Sequence, residues 1–181
     1  AEWLGDPTAR LPGRITLNPI SHLDPVGSVL LPVVLVLTNA PMLFGWAKPV
    51  PYNPFNLRPG RFSEAIVAAA GPVSNLVIAL IGGILIRLGV LPGGVGEAVF
   101  IIVLINTMLF FFNLIPVPPL DGSKVLASLL PQGLAISYDR LRSYLEWNPF
   151  LGFGVVIVLV MLFGGALTGL IWGFAGIIVG A

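Results

Sequence analysis

Among the long stretches of this chain that contain no charged residue, three constrain its fold more than any other feature. They cover 65–86, 98–115 and 149–181. About 20 consecutive apolar residues suffice to cross the hydrocarbon core of a bilayer, so the first two stretches predict transmembrane helices. The third would extend ~50 Å as one straight helix, well beyond a core of ~30 Å. It therefore predicts a hydrophobic C-terminal helix or hairpin, and a hairpin or a span with an interfacial tail fits its length better.

The composition agrees with a membrane protein and excludes several other classes. Hydrophobic residues make up 56% of the chain and charged residues 9%, whereas a typical soluble domain has about 25% charged residues. The formal net charge is +1, and no basic stripe is available to neutralise phosphates, so nucleic acid is not an expected partner. We predict a mainly α, polytopic integral membrane protein.

The N-terminal third is more polar and irregular. Residues 1–24 and 45–61 are expected to be extended or loop elements, with a short strand near 14–17 where polar and apolar residues alternate. Residues 25–47 carry no charge but contain interrupting prolines, which favours a broken, re-entrant segment. We expect the whole chain to form a single membrane-embedded domain.

The segment most suggestive of chemistry is NLIPVPPLDG, residues 113–122. Its three prolines end a membrane helix and force extended backbone, which survives at membrane depth only inside protein or along a wet cavity. Asp121 follows directly, and an ionisable group there is a candidate functional residue whose charge a metal ion could balance. The alternative is that Asp121 caps a helix beginning near Ser123, at the water interface.

Three other polar residues are candidates. Asn113 could donate a hydrogen bond to a developing oxyanion, or it could make an interhelical hydrogen bond, and the latter alternative also applies to Asn75. His22 is the one histidine of the chain. With Asp24 and Asp121 it could in principle complete a site of two carboxylates and one histidine.

Taken together, these motifs resemble the site-2 protease family of intramembrane zinc metalloproteases, especially its small prokaryotic members. The resemblance covers nearly the whole chain, with the motifs in the family's order. It depends on LGDPTAR (4–10), GRITLNPISHLDPVG (13–27), GWAKPVPYNP (45–54), AAGPVSN (69–75) and NLIPVPPLDG (113–122).

The resemblance implies roles for individual residues. Asp121 matches the aspartate that supplies the third zinc ligand, and Asn113 matches an asparagine proposed to stabilise the tetrahedral intermediate. Asn75 lies in the family's GPxxN element on a helix beside the site. His22 lies in an element typical of the small members, without a role that we can assign. Residues 45–54 match a hairpin-like region thought to receive an unwound substrate strand.

One departure from the family pattern is large. The family's HExxH motif, which supplies two zinc-binding histidines and a glutamate base, does not occur in this chain. In small members it lies just upstream of LGDPTAR, so we expect the sequence to begin after it. The resemblance then implies an intramembrane zinc endopeptidase of a prokaryotic cell membrane. Its expected substrates are transmembrane segments of other proteins, and the chain alone is expected to be inactive.

Two alternatives remain open at this point. A scaffold without HExxH could bind transmembrane helices without cutting them. A small transporter or channel subunit could place Asp121 on an ion path, but it would need more polar groups along the spans than this chain offers.

Overall fold

The computed structural model describes residues 1–8, 10, 16, 23–38, 53–60 and 62–180. The chain divides into two compact units, Ala1–Gly60 and Arg61–Ala181. His22, most of the 45–54 segment and most of the strand expected near 14–17 lie outside the described residues, and the described residues contain no strand.

The described residues of the first unit contain little regular structure. A 3-10 turn covers Glu2–Leu4, and a π-helical stretch, Pro25–Leu30, continues into helix α1, Leu31–Leu37. The helix begins at Pro25 because the carboxylate of Asp24 caps it. This carboxylate accepts hydrogen bonds from the N–H groups of Val26 and Gly27, at 3.0 and 2.8 Å. Helix from Pro25 to Leu37 is too short to span a bilayer by itself.

A buried carboxylate joins two distant segments of this first unit. Asp6 is fully buried and accepts hydrogen bonds from the main-chain N–H of Asn53 at 2.7 Å and from the side-chain amide of Asn56 at 3.2 Å. The N–H and hydroxyl of Thr8 donate to it as well. Burial alone would raise the pKa of Asp6, but these hydrogen bonds outweigh burial and lower the pKa to about 2.

The second unit consists of five helices. They are α2 (Ser63–Arg87), α3 (Val95–Asn113), α4 (Asp121–Leu129), α5 (Gln132–Trp147) and α6 (Pro149–Val179). Three of them, α2, α3 and α6, are long and apolar enough to cross a membrane. The prediction of a mainly α, polytopic integral membrane protein is confirmed.

Helix α6 is a single helix and not the hairpin that fitted the length of 149–181 better. It runs unbroken from Pro149 to Val179 and passes through Gly164 and Gly165 without interruption. Glycine lowers helix propensity by only ~1 kcal/mol, whereas a break in lipid would leave N–H and C=O groups without partners at a much higher cost. The apolar environment therefore favours one continuous helix.

The three spans meet around a small core of Ala79, Val103, Ala175 and Ile178. Small residues on α2 let the neighbouring helices come close. A Cβ atom at Gly82 would lie 2.8 Å from Cγ2 of Val103, and one at Gly83 would lie 2.8 Å from the carbonyl oxygen of Ile178. Van der Waals contact between closely approaching helices is the main source of helix association in lipid.

This packing makes a prediction about Gly83. The Gly83→Ala variant should lose about 1–3 kcal/mol of unfolding free energy, because the added methyl group overlaps Ile178. The measurement is unfolding in mixed detergent micelles, followed by circular dichroism. Gly165→Ala is the control, since a Cβ atom there meets nothing within 4 Å. Equal stability of Gly83→Ala and the unmodified protein would contradict this packing.

Candidate functional site

The site is built around the loop between α3 and α4, residues 114–120. The four N–H groups that this loop retains all donate to nearby carbonyls within the loop or the end of α3. Val117, for example, donates to Ile115 at 2.8 Å, and Leu120 donates to Val117 at 2.9 Å. The three prolines have no N–H group. The loop therefore has no N–H group with which to pair a second strand.

The loop returns closely upon itself at Gly122. A Cβ atom at this position would lie 2.6 Å from the carbonyl oxygen of Ile115 and would also overlap the carbonyl group of Leu114. Glycine is therefore the residue that allows the start of α4 to touch the end of α3. Since Asn113 and Asp121 are the chain neighbours of this contact, it brings the two candidate residues into the same small region.

Two other helices hold the outer side of the loop. The hydroxyl of Tyr138 in α5 donates a hydrogen bond to the carbonyl oxygen of Pro116 at 2.9 Å. Pro118 is fully buried, and its carbonyl oxygen would lie 3.4 Å from a Cβ atom at Gly152 in α6. One side of the irregular backbone is therefore covered by α5 and α6, whereas Pro116 and Pro119 are exposed.

Asp121 lies at the first position of α4 and is half-buried. Its Oδ2 would be 3.4 Å from a Cβ atom at Gly71 of α2, so the carboxylate packs against the GPxxN element. Burial raises the pKa of Asp121 above its ordinary value, and the positive charge of Lys124, one turn along α4, opposes the rise. Within the part of the chain that the structure describes, no group donates a hydrogen bond to this carboxylate.

The capping interpretation of Asp121 is wrong. Leu120 occupies the N-cap position of α4, and no side chain caps this helix. Ser123, fully buried, instead uses both its N–H and its hydroxyl on the carbonyl oxygen of Leu120, at 3.1 and 2.7 Å. Asp121 is thus inside the first turn, where a negative charge is favoured by the helix dipole but its oxygens remain available to a ligand.

Asn113 is the last residue of α3 and is partly buried. Its Nδ2 donates to the carbonyl oxygen of Leu109, one turn back, at 2.9 Å. The amide has a second N–H group, which remains for another acceptor. Asn106, two turns earlier on the same helix, makes the same type of hydrogen bond to Ile102 at 2.8 Å.

The other candidates have different outcomes. Asn75 lies on α2 one turn beyond Gly71, so it faces the side of the helix that carries the contact to Asp121. Oδ1 of Asp24 accepts the hydrogen bonds that begin the helix at Pro25, and the alternative site made with His22 stays a prediction, because His22 lies outside the described residues. Among the described residues, no three His, Asp or Glu side chains come together as a metal site.

Comparisons with known proteins agree with the predicted family. The model of Peptidase family M50 matches residues 90–141, from just before α3 through Asp121 and into α5. The chain is 38% identical over 164 residues to "Putative zinc metalloprotease YwhC" of Bacillus subtilis (strain 168), covering 86% of this chain and 68% of that protein. No solved structure gives a significant match.

A second bacterial relative is more distant. The chain is 28% identical over 162 residues to "Putative zinc metalloprotease Rip2" of Mycolicibacterium smegmatis (strain ATCC 700084 / mc(2)155). The match covers 87% of this chain and 57% of that protein.

The electrostatics of Asp121 can be tested directly. In metal-free protein, Lys124→Ala should raise the pKa of Asp121 further, because it removes the positive charge that opposes the effect of burial. Infrared titration of the protonated carboxyl band measures this pKa, with Asp121→Asn to identify the band. Lys124→Arg is the control that keeps the charge. An unchanged or lowered pKa in Lys124→Ala would contradict the described environment.

The same raised pKa has a consequence for stability. Since the folded pKa lies above the unfolded one, protonation of Asp121 favours the folded state. This contribution is fully present below the ordinary pKa of 3.8 and is lost as the pH rises through the raised value.

Proposed function

Because the chain belongs to peptidase family M50, we propose that it forms the membrane part of a zinc endopeptidase that cleaves peptide bonds in transmembrane segments of other proteins. The observation that carries the proposal is the position of Asp121. Its carboxylate is half-buried and beside the membrane spans, and it accepts no hydrogen bond from any described residue. A carboxylate that is charged in such a place is stabilised by a bound cation.

The donor at this position suits zinc. A carboxylate oxygen is one of the ligands that zinc takes in catalytic sites, together with histidine nitrogens. Asp121 would supply this oxygen, and by the family resemblance an HExxH helix would supply two nitrogens. When bound, zinc supplies Lewis-acid activation of a carbonyl group and of water.

The residues of this chain have three separate tasks in that reaction. Asp121 presents its oxygen, and Gly71 leaves room for the carboxylate because it has no side chain. Asn113 keeps one amide N–H for Leu109 and can offer the second to the oxygen that becomes negative during hydrolysis. Asn75 borders the same face of α2.

The substrate class follows from where the site lies. The exposed sides of α2, α3 and α6 are apolar, and Asn113 ends one of these spans. A peptide bond that reaches Asp121 from the bilayer belongs to a transmembrane segment that has locally unwound. Val117 has the one N–H group of Pro116–Pro119, and it donates to Ile115 within the loop. We propose that this irregular backbone contacts the unwound segment through its carbonyl groups.

A non-catalytic scaffold that binds transmembrane helices is the alternative, and the chain by itself, without HExxH, is expected to be inactive. The two functions differ in whether zinc and Asp121 are required, and the following variant separates them.

The first prediction of the proposed function concerns Asp121. In the protein expressed from its complete reading frame, Asp121→Ala should abolish peptidase activity and reduce bound zinc to well below one atom per chain, because it removes a ligand. Elemental analysis and cleavage of a transmembrane substrate in detergent measure the two effects. Glu97→Gln is the control, since Glu97 lies in the first turn of α3, at the opposite end of that helix. Stoichiometric zinc with full activity in Asp121→Ala would remove Asp121 from the site.

The second prediction compares two asparagines of α3. Asn113→Ala should lower kcat by ~10²-fold or more, as loss of an oxyanion-hole donor does. Asn106→Ala is a matched control, because both side chains donate to the carbonyl four residues earlier and only Asn113 lies beside the loop. Steady-state kinetics decide the comparison, and equal kcat values in the two variants would make Asn113 a structural residue.

A further inference from the structure

The loop that leads to Asp121 makes few hydrogen bonds to the rest of the fold. The N–H groups of residues 114–120 bond only to nearby carbonyls, and three of the seven residues are prolines. Such a loop holds its own shape, but its hydrogen bonds do not fix where it stands relative to α2. Within the described part of the chain, Ser123 of the adjoining helix α4 bonds to Leu120, and the hydrogen bond from Tyr138 to Pro116 is the one that reaches this loop from a helix not adjoining it.

Helix α5, which provides Tyr138, is itself fastened to α2. Arg142, one turn beyond Tyr138, makes two contacts with the carboxylate of Glu64, at 2.8 and 3.4 Å. Its side chain is only 15% exposed, and its Nε lies 3.4 Å from Asp139. A bidentate pair with this little exposure has a more defined geometry than a surface ion pair.

These contacts close a ring that begins and ends on α2. Glu64 and Gly71 are seven residues apart on that helix, so they share one face. From Glu64 the ring passes through α5 to Pro116, then along the loop to Asp121, and returns at Gly71. If the hydrogen bond at Pro116 is removed, the ring is open, and the loop keeps only its packing contacts, such as Pro118 against Gly152 and Gly122 against Leu114.

We infer that Tyr138 is a positioning residue, whose hydroxyl anchors the 114–120 loop and thereby sets the place of the Asp121 carboxylate for metal binding. This inference rests on the proposed function. Burial raises the pKa of Tyr138, so its hydroxyl stays protonated and remains a donor across the working pH range. No sequence motif marks this residue, and none of the assigned roles includes it.

The test compares Tyr138→Phe with Tyr144→Phe. Each variant removes one hydroxyl from α5, but Tyr144 is 60% exposed and its hydroxyl has no described partner. In this 181-residue chain, the N–H groups of Val117 and Leu120 should exchange with deuterium about five-fold faster in Tyr138→Phe, since they depend on the anchored loop. Tyr144→Phe should exchange like the unmodified chain.

The second readout is zinc affinity in the protein expressed from its complete reading frame, measured by competition with a chromophoric chelator. We expect about ten-fold weaker zinc binding in Tyr138→Phe, as for other residues that support a metal ligand indirectly. The value of kcat should fall with little change in KM. Both are measured well below the thermal unfolding temperature, so that a general loss of stability does not contribute.

The outcomes are distinct. Unchanged exchange of Val117 and Leu120 would overturn the anchoring role of Tyr138. Faster exchange with unchanged zinc affinity would show that the loop can loosen without moving the ligand, and would overturn the positioning role. If the unmodified protein itself neither binds zinc nor cleaves substrate, the proposed function fails, and the exchange experiment still decides whether Tyr138 anchors the loop.

Discussion

The contact between Gly122 and the carbonyl groups that follow α3 is the constraint on which the rest of the site depends. Any side chain at this position would push the start of α4 away from Leu114 and Ile115. Asn113 and Asp121 would then separate, because they are the immediate neighbours of the contact. The prolines make the approach feasible in an apolar environment, since they leave fewer N–H groups that need partners. Glycine and proline thus act together. Glycine permits the contact between the start of α4 and the end of α3, and proline reduces the number of backbone N–H groups that need a partner.

Much of this arrangement was predictable from the sequence, for reasons that are local. A membrane helix satisfies its own backbone, so an uncharged run of sufficient length is enough to predict α2 and α3. The break before Asp121 follows from three prolines. Sequence left a helix or a hairpin open for 149–181, and the structure has one continuous helix, because two glycines weaken a helix by far less than lipid penalises an open backbone.

The remaining features depend on contacts between distant parts of the chain. Tyr138 and Pro116 are 22 residues apart, and Arg142 and Glu64 are 78 apart. Tyrosine and arginine on an amphipathic helix are ordinary surface residues unless the fold brings a hydrogen-bond acceptor to them. The spacing of residues in the sequence does not predict such a contact. The environment of Asp121 is of the same kind. Its position after the prolines could be read from the sequence, but the absence of hydrogen bonds from described residues and its contact with Gly71 emerge only when α2 and α4 are together.

The length of α6 has a consequence for the membrane around the protein. Its 31 residues extend about 47 Å, whereas the 19 residues of α3 extend about 28 Å. These two neighbouring spans cannot both match one hydrocarbon thickness, so α6 must tilt, project beyond the core or locally thicken the bilayer. The N-terminal end of α6 includes Gly152, which lies against Pro118 of the loop before Asp121. A change in the tilt of α6 with bilayer thickness would therefore act on this loop.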